Sequence, residues 1–148
     1  MDIEEYSKYK QLYNEDIPKL LLSYLSKEVW NDYLDLGCGD GSLLNALDKK
    51  GYFNKKNVYA IDLSENRINL VEKINPLFTC YTDDACNAQK IKNNSIDFLV
   101  SEQVIEHVPS DKDMVNEIYR ILKKMAQFIF QRFLKNGTVG IFIGVMVN

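Results

Sequence analysis

The chain runs to 148 residues, 46% hydrophobic and 26% charged, with a net charge of −3. Its length suits a single domain, and its composition excludes a disordered chain. No run of lysine and arginine exceeds a local pair, which argues against an extended basic face for nucleic acid.

The N-terminus, MDIEEYSKYK, is acidic and carries no apolar segment, so it does not read as a signal peptide. The first thirty residues read as helical. Tyr6, Tyr9 and Tyr13 recur at helical spacing, and Pro18 opens a second apolar stripe through Leu21, Leu22 and Leu25. From Asp32 the pattern changes to short apolar runs, Tyr33–Leu36, Val58–Ile61, Phe78–Tyr81 and Ile96–Val100, which are predicted strands. Helical patterns at Ser42–Lys50 and Ser64–Ile74 lie between them, the second ended by Asn75-Pro76. Another helix is expected from Ser110, where Ser110–Asp113 has capping-box spacing and Met114, Val115, Ile118, Ile121 and Leu122 share one face. This alternation implies βαβ units, so the fold class is α/β with a doubly wound, mainly parallel sheet. Beyond it, Met125–Leu134 has helical or strand-like apolar content. Thr138–Val147 is the most apolar stretch, too short to cross a bilayer as a helix, and no membrane association is expected.

The three cysteines, Cys38, Cys80 and Cys86, have no metal-ligand spacing, and their odd number argues against a disulfide framework. Reduced thiols in a cytoplasmic protein are the expectation.

Only seven glycines occur in the chain, and three of them alternate in Tyr33-Leu-Asp-Leu-Gly-Cys-Gly-Asp-Gly-Ser42, directly after the first predicted strand. Glycine there permits positive φ and leaves no Cβ in the way of a flat ligand. A tight turn that needs glycine for geometry alone is the competing reading, and three in alternation weigh against it. Val58-Tyr-Ala-Ile-Asp62 then places a carboxylate at the tip of the second strand, where it can take two hydrogen bonds from a ribose diol. A helix N-cap or first-turn acid beside Ser64 is the alternative role for Asp62. Both features fit a dinucleotide or an adenosine cofactor. The dinucleotide fingerprint G-x-G-x-x-G/A is not met, because the third glycine stands one place early. Asp35 and Asp40 would also repel a pyrophosphate, whereas they welcome a sulfonium.

With those residues in view, the sequence resembles the class I S-adenosylmethionine-dependent methyltransferases, in the small-molecule branch with DLGCGxG and EHV motifs. Asp35-Leu-Gly-Cys-Gly-Asp-Gly41 is similar to the family's first motif, which assigns Asp35, Gly37, Cys38, Gly39 and Gly41 to the methionine part of the cofactor. Asp62 matches the ribose-binding acid, with Leu63 beside the adenine. Asp84-Ala85 matches the pair that holds the adenine edge, and Asp83, where the family has glycine, could exchange roles with Asp84. Ser95–Val108 resembles the fourth strand and its loop, so Ser101, Glu102 and Gln103 would line the methyl-donor end. The resemblance implies a Rossmann-like fold and S-adenosyl-L-methionine as cofactor, and covers Asp32 to about Leu122.

The catalytic residues are left unassigned by this reading. His107, the only histidine, within Glu106-His107-Val108, is the candidate general base, and turning of the chain is the competing role. Relatives that bind a divalent ion use Glu-x-x-Glu-His here; Gln103 replaces the first ligand, so no metal is expected. An aromatic lid from Tyr6, Tyr9 and Tyr13 would suit this branch, with simple packing as the alternative.

The expected organisation is one domain over 1–148: a helical cap over 1–30, a cofactor-binding core over 31–124 and a divergent segment over 125–148. The family's fifth strand is placed after the turn at Leu134–Gly137, giving about five strands with the family's last two missing. The exposed end at Thr138–Val147 would be a sheet edge that favours a homodimer. The function expected is methyl transfer to a small-molecule acceptor. A non-catalytic or truncated S-adenosylmethionine-binding domain is the alternative, and an NAD-dependent oxidoreductase the more distant one.

Overall fold

The computed structural model describes residues 4–5, 15–133 and 139–147. Tyr6, Tyr9 and Tyr13, and with them the expected lid, lie outside the described residues, as does the turn Leu134–Gly137. Among the described residues, no helix is long and apolar enough to cross a membrane.

Helix α1 (Lys19–Lys27) follows Pro18 and buries Leu21 and Leu25. Strand β1 (Asp32–Leu36) leads into α2 (Ser42–Lys49), then β2 (Asn57–Asp62), α3 (Glu65–Glu72) and β3 (Thr79–Thr82). A loop returns the chain to β4 (Ile96–Glu102), followed by α4 (Asp111–Ile121), β5 (Leu122–Phe133) and β6 (Val139–Val145). Serines open two helices as capping chemistry requires: Ser64 Oγ accepts the Arg67 N–H at 3.3 Å, and Ser110 Oγ accepts the Asp113 N–H at 3.1 Å. On α4, Met114, Ile118 and Ile121 are buried, whereas Val115, expected on the same face, is exposed.

The six strands form one sheet in the order β3-β2-β1-β4-β5-β6, with β6 antiparallel and all other pairs parallel. The strand order therefore reverses between β1 and β4, where doubly wound sheets take their ligands. This is a Rossmann-like arrangement. Both faces are covered. On one, Leu21, Leu44, Leu47, Ile68 and Val71 of α1–α3 pack on Tyr33, Val58, Ala60 and Phe98. On the other, Met114, Ile118 and Ile121 pack on Leu34, Leu36, Ile61 and Leu99. Trp30, Tyr33, Phe53 and Phe98 make an aromatic cluster under the first face, with Tyr33 and Phe53 centroids 4.9 Å apart.

The sheet has six strands, one more than expected, and the C-terminal assignment needs correction. The fifth strand begins at Leu122, immediately after α4, and runs to Phe133, ahead of the Leu134–Gly137 turn after which it was expected. It pairs with β4 from Phe98↔Gln127 to Glu102↔Gln131, after an irregularity near its start. Met125 there takes φ +64°, and its N–H and that of Met146 are both bonded across to the other strand. The segment after Gly137 is a sixth strand that turns back on β5.

Candidate functional site

The site begins with the pleat. Side chains alternate along a strand, so residues two apart share a face. Asp35 shares Tyr33's face of β1, and the registers Asp35↔Ala60 and Asp35↔Val100 place Asp62 and Glu102 on that face too, one step further along. Three acids thus stand together at the carboxyl ends of β1, β2 and β4. Asp35 is 3% exposed and Asp62 6% exposed. Burial, then the charges of Glu102 and Asp62, push the Asp35 carboxyl well above the usual carboxylate range, and burial pushes Glu102 upward.

Beside it lies the glycine turn. Gly37, Gly39 and Gly41 all adopt positive φ, at +81°, +57° and +84°. Their missing Cβ atoms face different things. At Gly37 a Cβ would collide with the Val104 side chain, and at Gly41 it would come within 2.6 Å of Ile74. At Gly39 it would meet nothing within 4 Å. Two of the glycines are therefore required by packing, and the middle one bares its backbone to open space. Cys38 is buried, its thiol held well above the ordinary range by burial and then by Asp35 and Asp62, which rules it out as a nucleophile at neutral pH.

Asp62 is tied into this turn. Its Oδ2 accepts the Gly39 N–H at 2.9 Å, and its Oδ1 accepts the Ser64 N–H at 2.9 Å. Arg67 Nη1 stands 3.6 Å from Oδ2. Asp62 is not the helix cap; Ser64 is. Arg67 was not singled out by the sequence, although a cation in the first turn of a helix opposes the dipole and signals a specific anion partner. Leu63 is 56% exposed, an apolar side chain held beside the acid.

Asp83 and Asp84 have distinct roles here. Asp83 accepts the Asp84 and Lys90 N–H groups, at 2.9 and 3.1 Å, and so holds its own loop. Asp84 Oδ1 accepts the Cys86 N–H at 2.8 Å, and Ala85 is buried between them.

Of the residues after β4, Ser101 is buried and donates its hydroxyl to the Leu36 C=O at 2.8 Å, fixing the end of β1. Gln103 is exposed with φ +56°, its N–H donated to the Gln131 C=O at 2.6 Å. Val104, the second residue the sequence did not single out, closes on Gly37. His107 is exposed on the turn that follows, its N–H bonded to the Val104 C=O at 2.9 Å. An open groove of about 430 Å³ between α3 and β3, lined by Ile68, Cys80, Tyr81 and Lys90 among others, reaches Thr82 at the carboxyl end of β3 but takes in no residue of β1, β2 or β4. Burial, then the charge of Glu72, pushes its Cys80 thiol up to about 11, away from the reactive thiolate.

This arrangement has known counterparts. Residues 34–130 match the family model of a methyltransferase domain. The chain belongs to that family. Its fold recurs in solved structures of low sequence identity. One is Haemonchus contortus phosphoethanolamine N-methyltransferase 2 in complex with S-adenosyl-L-methionine, at 22% identity and a TM-score of 0.62, covering 76% of this chain and 27% of that one. Another is the PH0226 protein of Pyrococcus horikoshii, at 24% identity and a TM-score of 0.65, covering 78% and 54%. A third was solved in complex with the Trm112 methyltransferase activator of Haloferax volcanii, at 20% identity and a TM-score of 0.62, covering 76% and 50%. This chain thus spans about half the length of such methyltransferase-fold structures, or less. No curated protein matches it.

Proposed function

We propose that this methyltransferase-family domain binds S-adenosylmethionine across the tips of β1 and β2 and transfers its methyl group to a small-molecule acceptor. The observation that carries the reading is Gly39, whose backbone faces open space beside the acids at the strand tips, Asp35 and Asp62 buried and Glu102 partly so. Those acids favour a cationic group and disfavour a pyrophosphate, which sets the nicotinamide reading aside.

When bound, the cofactor supplies a methyl carbon already activated on a sulfonium sulfur. The chain's own residues bind and orient. Bare main chain at Gly39 permits close approach, held in shape by Gly37, Cys38 and Gly41. Asp62 has lone pairs beyond its two internal bonds with which to accept from a ribose diol. Leu63 offers an apolar wall for adenine, and Asp84 with Ala85 an edge for it. Asp35 and Glu102 supply negative charge, and Gln103 lines the donor end. Ser101 acts through Leu36 rather than by touching the ligand. Alignment in such a site is worth roughly 7–11 kcal/mol of barrier. Where the acceptor must lose a proton, His107 on its exposed turn is the candidate base, for a gain of ~10²–10⁴-fold. The partners in this reading are the acceptor and a second copy of the chain.

Incubation with methyl-labelled S-adenosylmethionine and a panel of small amines, hydroxyls and thiols tests it. Label on one acceptor supports transfer. Binding of S-adenosylhomocysteine with no label moved across the panel favours a binding module. Binding of NAD in its place overturns the reading.

A further inference from the structure

The two edges of the sheet are guarded differently. β3 is four residues long, and Lys90 reaches across it, its Nζ donating to the Thr82 C=O at 3.0 Å. Short strands and lysines are the usual protection of an edge. β6 is seven residues long, carries no charged residue and no proline, and exposes Ile141, Phe142 and Val145. Among the described residues nothing pairs with its outer side.

Its sequence, Val139-Gly-Ile-Phe-Ile-Gly-Val145, reads the same in both directions about Phe142. In an antiparallel pair of identical strands related by a two-fold axis at Phe142, every residue meets one of its own type. Phe142 faces Phe142, Ile141 faces Ile143, Gly140 faces Gly144 and Val139 faces Val145. A two-fold contact brings each charge near its own copy, so an uncharged edge is the kind that tolerates it.

The backbone agrees with this register. Met146 turns its N–H and C=O toward β5, bonding Ala126 and Met125 at 2.9 Å, and Gln131 turns its C=O toward Gln103 on β4. With the ladder unbroken from Gln127↔Val145 to Phe133↔Val139, alternation points the groups of Val139, Ile141, Ile143 and Val145 outward. Those are the residues that exchange hydrogen bonds when Phe142 sits on the axis. A shift of one residue brings unlike residues opposite one another. The strand is also well seated: the Phe128 ring lies over Gly144, and the Arg132 guanidinium is 5.7 Å from the Phe142 ring centroid.

We propose that β6 is a homodimer interface, in which two copies pair antiparallel about Phe142 and join their six-stranded sheets into one. Sedimentation of the full chain tests this together with two variants. Ile141→Pro removes an outward N–H and leaves the β5 ladder intact; it should weaken the dimer at least ten-fold, about 1.4 kcal/mol, while the far-ultraviolet spectrum is kept. Phe142→Cys should give a disulfide between copies at position 142 under mild oxidation, since facing Cα atoms of a non-bonded antiparallel pair lie about 4.5 Å apart. A wild-type monomer at high concentration, an open series of larger species, or a link at Cys80 or Cys86 with none at position 142 would overturn the proposal.

Discussion

The Gly39 backbone N–H donates to Asp62 Oδ2 at 2.9 Å, joining the turn after β1 to the tip of β2 across 23 positions of sequence. The acid proposed to grip a ribose thus also shapes the loop on which the cofactor would lie.

Asp62→Ala should therefore show two effects. Loss of the Gly39 and Ser64 bonds should lower stability by about 1–3 kcal/mol, and loss of the ribose contact should weaken S-adenosylhomocysteine binding by about 1.5–3 kcal/mol. Urea unfolding and calorimetric titration read the two separately. Unchanged affinity would remove Asp62 from the ligand.

The glycines should separate by role. Gly37→Ala meets Val104 and should destabilise the fold, seen as a fall in thermal midpoint. Gly39→Ala meets no atom within 4 Å, so its cost to the free domain is the positive φ alone, about 1–2 kcal/mol. A Gly39→Ala variant that is no less stable than Gly37→Ala yet binds ligand as wild type would argue against the open cradle.

Much of this site is legible in the sequence because its signals are local. The alternating glycines and the acid ending Val58–Asp62 stand at strand ends that short apolar runs mark, the serines at 64 and 110 cap helices through residues three further on, and these elements form where expected. The C-terminal half is not legible in that way. Met125–Phe133 is apolar without a clean period of two, because β5 is covered on both faces, and such runs do not distinguish strand from helix. Leu122 also follows α4 with no intervening turn, and Lys123-Lys124-Met125 holds no glycine or proline to announce a new strand. Val104 was missed because what it touches, Gly37, is 67 positions away and set by tertiary structure, whereas Arg67 stands five residues from Asp62 and its place in the first helical turn was a local signal left unused.

Acid chemistry should be visible in binding. The folded, unliganded domain holds the Asp35 and Glu102 protons more tightly than the unfolded chain does. Its stability should then fall as pH rises from about 4 through the raised values, as those groups ionise in a buried place. A sulfonium favours the ionised acids, so S-adenosylmethionine should bind more tightly as pH rises over that interval and release protons on binding. Titration in buffers of different ionisation enthalpy measures this; binding that is independent of pH would contradict it.

Ser101→Ala removes the hydroxyl bond to the Leu36 C=O and should lower stability by about 0.5–1.5 kcal/mol. Ligand affinity should stay within two-fold of wild type, by calorimetric titration. A larger loss of affinity would place the hydroxyl in the cofactor's pocket after all.

The central claim is that a sulfonium-bearing adenosine lies on the Gly39 backbone. Equilibrium binding of S-adenosylmethionine to the wild-type chain and to Gly39→Val tests it most directly. One molecule should bind per wild-type chain, and the variant should lose that binding while its circular dichroism remains that of a folded domain. Equal binding to both, or none to either, would contradict the account.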